Sequence, residues 1–361
     1  MIRLIRPYVS FEEVEADLRQ MFDEGIFTRG RHVEAFRAEL AAYTGARHVH
    51  LATSATTALS VCLKMLGIGP GDEVLVSDFS FPATANVVED LGARPVFCDV
   101  SPDTWNVLPS ELRAKATPRT RAVIAVDAFG NPTGMHEIAA TCRSLGLPMI
   151  EDAACAIGSH ERGVPVGRIA DLTCFSFHPR KLLTTGEGGA IVTDRDDWSA
   201  WLDVKLSHGA RGMLGYGLDF VEQGYNFRLS EPQAIMGRAQ LRKLDAIVAG
   251  RRAIRDQAAA RLADAGFVPQ AVGADVVHNV QSLVFRVPPG VDRDRLIGAL
   301  RADGVETTIG TYCMSGTTYY RRRYDDVQPN AERLQRETIT LPCFEGVDIL
   351  QVCDAVLRRA R

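Results

Sequence analysis

The chain has 361 residues, 46% hydrophobic and 24% charged, with a formal net charge of -4. Such a length supports a large core shared between one larger and one smaller domain, and so balanced a charge argues against a nucleic-acid binder. No stretch approaches the roughly 20 apolar residues that span a bilayer, so no membrane partner is expected and the expected location is the cytoplasm.

In chain order, a helix is expected over 11–24. From residue 43 to about 194, short β-prone apolar runs alternate with helical spacing, as in parallel βαβ units. The expected strands are 47–53, 73–77, 94–100, 122–127, 148–152, 172–177 and 190–193, with helical spacing between them, as at 55–66 and 136–145. The fold class is therefore α/β, a mostly parallel seven-stranded sheet flanked by helices, with room for one antiparallel member. Helices over 230–248 and 251–266 lead into a different texture. Strands at 280–287 and 305–309 and a closing helix at 348–359 describe a smaller α+β unit. The expected division is an N-terminal segment 1–24 packing with the small unit, a large unit 25–245 and a C-terminal unit 246–361. The eight cysteines are dispersed, mostly within apolar runs and without a CxxC pair. They read as buried free thiols, and neither a disulfide framework nor a metal site is expected.

Ligands of open α/β sheets collect at the carboxyl ends of the strands. After the first strand, Ser54-Ala55-Thr56-Thr57 opens a helix whose free N–H groups suit an anion such as a phosphate, although a plain N-cap has the same look. After the second, Phe81 stands in a loop where it could stack on a flat ring or simply pack in the core. The fifth ends in Glu151-Asp152-Ala153-Ala154-Cys155, and a carboxylate closing a buried strand needs a partner. A protonated ring nitrogen is one such partner; metal ligation is disfavoured because no cluster of ligands accompanies it. The sixth leads into Ser176-Phe177-His178-Pro179-Arg180-Lys181 and a glycine-dense exit at Gly186, Gly188 and Gly189. A lysine fixed after a buried strand suits Schiff-base chemistry. Anion-binding helix start, aromatic, strand-end aspartate and sequestered lysine together meet the needs of pyridoxal 5'-phosphate, with pyridoxamine 5'-phosphate as its aminated form.

These residues resemble the DegT/DnrJ/StrS family of sugar aminotransferases, pyridoxal-phosphate enzymes of fold type I. The resemblance runs from about Phe11 to Phe344 through Gly25-Ile26-Phe27-Thr28-Arg29-Gly30, Ser54 to Leu59, Phe81 to Asn86, Glu151 to Ala154, Ser176 to Lys181, Thr185 to Gly189, Gly224-Tyr225-Asn226-Phe227-Arg228 and Leu341-Pro342. It implies that Lys181 is the Schiff-base lysine and acid–base group, and that Asp152 is the partner of the pyridinium. Ser176, Ala55 and Thr56 would hold the phosphate, and Phe81 would stack on the ring. It further implies a homodimer with shared active sites, in which Asn226 and Arg228 reach the neighbouring subunit's cofactor, and substrate contacts at Phe27, Arg29, His178, Arg228 and Tyr312. Three departures stand out: at the cofactor-binding position where the family's usual glutamine bonds the phenolic oxygen this chain has Cys155, a poor donor, Ala55 replaces the usual glycine, and the loop 310–320 differs from the usual substrate loop.

The function so implied is transfer of an amino group from glutamate or glutamine to a keto-sugar, nucleotide-linked, in amino-sugar, glycan or antibiotic biosynthesis. A free keto-cyclitol or another secondary-metabolite ketone or aldehyde is the alternative acceptor. A pyridoxamine-dependent sugar dehydratase is disfavoured because those relatives carry histidine where Lys181 stands. A non-catalytic regulator is disfavoured because the site is complete and the ten residues before Phe11 leave no room for a DNA-binding domain. The run Arg321-Arg322-Arg323 could contact a diphosphate, but such runs are usually solvated helix faces.

Overall fold

A computed structural model describes residues 1–360. The apolar runs of the first half form seven strands: β1 His48–Ala52, β2 Glu73–Ser77, β3 Arg94–Cys98, β4 Thr120–Val126, β5 Met149–Asp152, β6 Leu172–Ser176 and β7 Gly189–Thr193. They lie in the order β1-β7-β6-β5-β4-β2-β3. β7 runs antiparallel to both its neighbours, and every other pair is parallel.

Successive side chains of a strand point to opposite faces, and here both faces are covered. Val74, Val76, Ile124, Ile150, Cys174 and Ile191 pack under the helix Ala55–Met65. Phe175, Ala190 and Val192 meet Phe36 and Leu40 of the helix Arg31–Thr44, while Leu75, Val123 and Met149 meet the helix Met135–Ser144. Burial on both faces explains why the strands read as unbroken apolar runs.

The C-terminal residues form a second sheet of four strands, β8 Val268–Pro269, β9 Leu283–Arg286, β10 Thr308–Ile309 and β11 Thr338–Leu341, in the order β8-β9-β11-β10. Phe285, Ile339 and Leu341 pack on the helices Arg293–Ala302 and Ile349–Arg359. The central strand β11 was not expected from sequence.

Two further expectations are corrected. The helices read as 230–248 and 251–266 are Glu231–Leu241 and Leu244–Leu262. The break falls at Arg242-Lys243, where Leu241 and Leu244 both turn inward. The second helix then passes from one core to the other: Leu244, Ile247 and Val248 pack on the large sheet, and Ala258 and Leu262 in the C-terminal core. The N-terminal helix Glu15–Glu24 does not pack on the C-terminal unit, because its apolar side, Val14 and Met21, meets Ile235 and Ala239 of the helix Glu231–Leu241. Only the residues ahead of it reach the C-terminal unit, where Ile2 bridges Val305 and Leu4 O accepts from Cys343 N.

Candidate active site

The register of the sheet assembles the site. Ala52, Gly189 and Ser176 face one another across β1, β7 and β6, and Asp152 on β5 pairs with Cys174 on β6. The loops leaving these strands thus meet at one edge. Ser54 caps the helix Ala55–Met65: its Oγ accepts from Thr57 N at 3.1 Å and Thr57 Oγ1 accepts from Ser54 N at 3.1 Å. Ala55 and Thr56 then hold the first helical positions, whose N–H groups have no acceptor within the helix and suit an anion. This close approach requires glycine at 189, since a Cβ there would lie 2.5 Å from Ser54 C and 2.6 Å from Ala55 N.

Asp152 is 6% exposed. Its Oδ2 accepts from Thr84 Oγ1 at 2.7 Å and its Oδ1 from Ala154 N at 3.3 Å. Burial raises its pKa, while the Thr84 hydroxyl and the nearby Lys181 charge oppose the rise. A cation placed against this carboxylate would relieve the cost of burying it. Behind it lie Asp127 and Glu151, both fully buried and both pushed upward by burial, Glu151 to about 7.

Lys181 Nζ donates to Cys155 Sγ at 3.1 Å. The loop carrying the lysine is clamped from outside the large sheet. Gln281 accepts from Leu182 N at 2.8 Å and donates to Arg180 O at 2.7 Å. Gln240 accepts from Thr184 N at 3.1 Å and donates to Thr184 O. Asn279 donates to Cys155 O at 2.8 Å and to Ile157 O at 2.7 Å. All three are buried amides whose polar atoms serve backbone groups of the site. Their signal in the sequence was only a polar residue within an apolar segment, and none was picked out, nor was Thr84.

Phe81 is 63% exposed at the mouth of the site and tilts against Tyr312, with ring centroids 6.4 Å apart. The loop carrying Tyr312 is pinned there: Tyr312–Cys313 pairs with Phe79–Ser80, and buried Asp78 accepts from Ser315 N and Ser315 Oγ at 2.6 Å. Ser176 is buried at the end of β6, with its Oγ 3.4 Å from His178 N, and His178 itself is 45% exposed.

The remaining expected residues gather elsewhere. Arg29 and Arg228 line a separate cavity of about 270 Å³ with Arg37, His50 and Asp203. Nε and Nη1 of Arg228 are buried without a hydrogen-bond partner among the described residues, and Asn226 is exposed. Phe27 stacks edge-on against Phe22, and its carbonyl accepts from Glu231 N at 3.0 Å. The buried Glu231 carboxylate in turn accepts from Gly30, His32 and Val33 N at 2.9–3.0 Å, tying the segment 25–30 to the helix that follows Arg228. Of the basic run, Arg321 pairs with Glu332 and Arg323 with Glu89, as on a solvated helix face.

The residues present fit pyridoxal 5'-phosphate: free N–H groups for its phosphate, a buried carboxylate for its ring nitrogen and a lysine amine near that carboxylate. Comparison with known proteins agrees. Residues 10–357 match the model of the DegT/DnrJ/EryC1/StrS aminotransferase family. The chain is 32% identical to the spore coat polysaccharide biosynthesis protein SpsC of Bacillus subtilis (strain 168), covering 97% of this chain and 95% of that protein. Among solved structures, the aminotransferase TlmJ from Streptoalloteichus hindustanus superposes with a TM-score of 0.93 at 30% identity, covering 100% and 98% of the two chains. DesV of S. venezuelae gives 0.88 at 30% identity, covering 99% of each. The chain belongs to the DegT/DnrJ/EryC1/StrS family, pyridoxal-phosphate-dependent aminotransferases of fold type I.

Proposed function

We propose that the protein moves an amino group from glutamate or glutamine to the keto group of a nucleotide-linked sugar in the cytoplasm, in the synthesis of an amino sugar, glycan or antibiotic. The observation that carries this reading is the pairing at one sheet edge of a buried strand-end carboxylate, Asp152, with the amine of Lys181. Bound pyridoxal phosphate supplies the electron sink that lets the substrate carbon lose and regain a proton. Asp152 holds the ring nitrogen protonated, Ala55, Thr56 and Ser176 hold the phosphate, and Phe81 covers the ring. Lys181 anchors the cofactor and carries the proton between substrate carbon and cofactor in each half of the exchange. Tyr312, on the pinned loop beside Phe81, contacts the acceptor. SpsC, by its name a polysaccharide biosynthesis protein, supports a sugar acceptor.

We further propose a homodimer in which Asn226 and Arg228 complete the neighbour's phosphate site. Two buried guanidinium nitrogens of Arg228 without partners among the described residues support it, since a buried N–H group left without an acceptor is costly. So does the hairpin Ala210–Leu214 and Gly217–Phe220, which leaves Met213, Leu214, Tyr216 and Phe220 exposed, because a contiguous exposed apolar patch marks an interface.

Two assays test these proposals. Borohydride reduction with cofactor bound is expected to fix the label on Lys181, and transamination of a keto-sugar nucleotide panel, with keto-cyclitols as comparison, to vanish in Lys181→Ala. Activity surviving in that variant refutes the mechanism, and turnover of cyclitols alone refutes the nucleotide-linked acceptor. Mixing inactive Lys181→Ala with inactive Asn226→Ala is expected to restore part of the activity, because one of the two sites in a mixed dimer is intact; no recovery refutes the shared site.

A further inference from the structure

The contact between Cys155 and Lys181 is not used in the amino transfer proposed above, and it sets a nucleophilic amine against an oxidisable sulfur. Seven of the eight cysteines are buried, and Cys155 alone is partly exposed. Burial also raises the pKa of Cys98, Cys142, Cys174, Cys313, Cys343 and Cys353, which withholds the reactive thiolate at those positions. An oxidant entering the cofactor cleft therefore meets Cys155 first. The two partners are also held in place: Asn279 Nδ2 fixes Cys155 O at 2.8 Å, and Gln281, two residues along the same segment, fixes Leu182 N at 2.8 Å beside the lysine.

We propose that Cys155 and Lys181 form a reversible sulfur–nitrogen link under hydroperoxide, a redox latch that withdraws the amine on which the cofactor is carried. In the first step the Cys155 thiolate attacks one oxygen of hydrogen peroxide; the S–O bond forms, the O–O bond breaks, sulfur is oxidised by two electrons to the sulfenic acid, and the departing hydroxide takes a proton from solvent and leaves as water. In the second the lone pair of Lys181 Nζ, already 3.1 Å from the sulfur, attacks it; the S–N bond forms, the S–O bond breaks, and the hydroxyl leaves as water with a proton from the amine. Sulfenic acids are known to condense with a neighbouring nitrogen in this way, and a free primary amine is a better nucleophile than a backbone amide. A low-molecular-weight thiol reverses the link by attacking sulfur, releasing the amine and leaving a mixed disulfide that a second thiol resolves. The link requires Lys181 to be free, as it is in the cofactor-free protein. The latch thus acts between rounds of cofactor loading. Its formation rests on the contact alone, and its consequence rests on Lys181 being the cofactor's anchor.

The test uses the whole cofactor-free protein, treated with hydrogen peroxide, alkylated, digested without reductant and read by peptide mass spectrometry. The expected product is one cross-linked pair carrying Cys155 and Lys181, lighter by two hydrogens than the sum of its peptides. Added pyridoxal phosphate is then fixed by borohydride, and loading on Lys181 is expected to fall in proportion to the cross-link and to return after dithiothreitol. Cys155→Ser is expected to form no cross-link and to load equally with and without peroxide. Cys155 recovered unmodified, or only as sulfinic or sulfonic acid, overturns the proposal, as does a cross-linked protein that still loads at Lys181. Failure of the untreated protein to load at Lys181 overturns the assignment of the anchor instead, while the peptide result still decides the link.

Discussion

Gly189→Ala is expected to damage cofactor binding although residue 189 is not among the residues proposed to hold the cofactor. Its backbone is ordinary strand, so the reason for glycine is space: a Cβ would lie 2.5 Å from Ser54 C, 2.6 Å from Ala55 N and 2.7 Å from Ser54 O. All three are backbone atoms, and no rotamer change relieves the clash. Regaining van der Waals contact requires the turn 54–55 to retreat by roughly 1 Å, at about 1–3 kcal/mol, the usual cost of overpacking. The same retreat draws the Ala55 and Thr56 N–H groups away from the phosphate. One charge-assisted hydrogen bond lost, about 1.5–3 kcal/mol, weakens cofactor affinity roughly 10- to 100-fold. Gly186→Ala is the matched control: φ there is +82° and no atom lies within 4 Å of a Cβ. Its cost, about 1–2 kcal/mol, is backbone strain alone, and affinity should change by less than about threefold, since the phosphate-binding turn stays in place. Urea unfolding of the cofactor-free proteins and absorbance titration with pyridoxal phosphate measure both quantities. Wild-type affinity in Gly189→Ala, or an equal loss in both variants, refutes the placement of the phosphate at the start of the helix Ala55–Met65.

Gln281→Leu is expected to leave the buried Leu182 N–H unpaired, costing about 1–3 kcal/mol of stability, and to lower kcat with little change in KM, because the lysine loop loses its clamp; an unchanged kcat refutes the positioning role. Asp78, buried and pushed up to about 6 despite its hydrogen bonds from Ser315 and Cys313, gives a pH test. A folded-state pKa above the unfolded value means that the native state binds the extra proton between about pH 4 and pH 6. Stability from this group is therefore present at the acid end and lost as pH rises through that window, by roughly 3 kcal/mol. The unfolding free energy of Asp78→Asn relative to wild type should accordingly rise by that order between the two limits; a flat difference refutes the assignment.

How much of the molecule the sequence discloses depends on the range of the forces involved. β1 to β7 are legible because both faces of each are buried, which writes an apolar run into consecutive residues. Asp152 and Lys181 are legible because Asp152 closes such a run and Lys181 follows another, five residues beyond Ser176 at the end of β6. β11 is not, since Thr338-Ile339-Thr340-Leu341 is only four residues long and follows directly on the charged helix Pro329–Glu337, and its pairing with β9 and β10 joins residues 30 to 58 positions apart. The break at Arg242-Lys243 is hidden for a similar reason: neither residue is a helix breaker, and the turn is fixed by what Leu241 and Leu244 pack against. Thr84, Gln240, Asn279 and Gln281 act on groups far along the chain, and no local pattern marks them.

The segment between the cores brings these observations together. His278 to Gln281 precedes β9, and His278 Nε2 meets Phe129 O at 3.0 Å while Asn279 N donates to Ser159 Oγ at 3.0 Å. Arg251, buried on the helix that crosses from one core to the other, donates to Val280 O at 3.1 Å and Gln281 O at 3.0 Å. Val280 itself has φ +54°, a left-handed conformation that a β-branched residue adopts only when its surroundings impose it. The imposed geometry lets consecutive residues face different partners: Asn279 reaches the strand-end loop at Cys155 and Ile157, and Gln281 reaches the lysine loop at Arg180 and Leu182. The C-terminal unit therefore sets the distance between the loop of Asp152 and Cys155 and the loop of Lys181, and a movement of that unit against the large sheet would be transmitted to the amine itself.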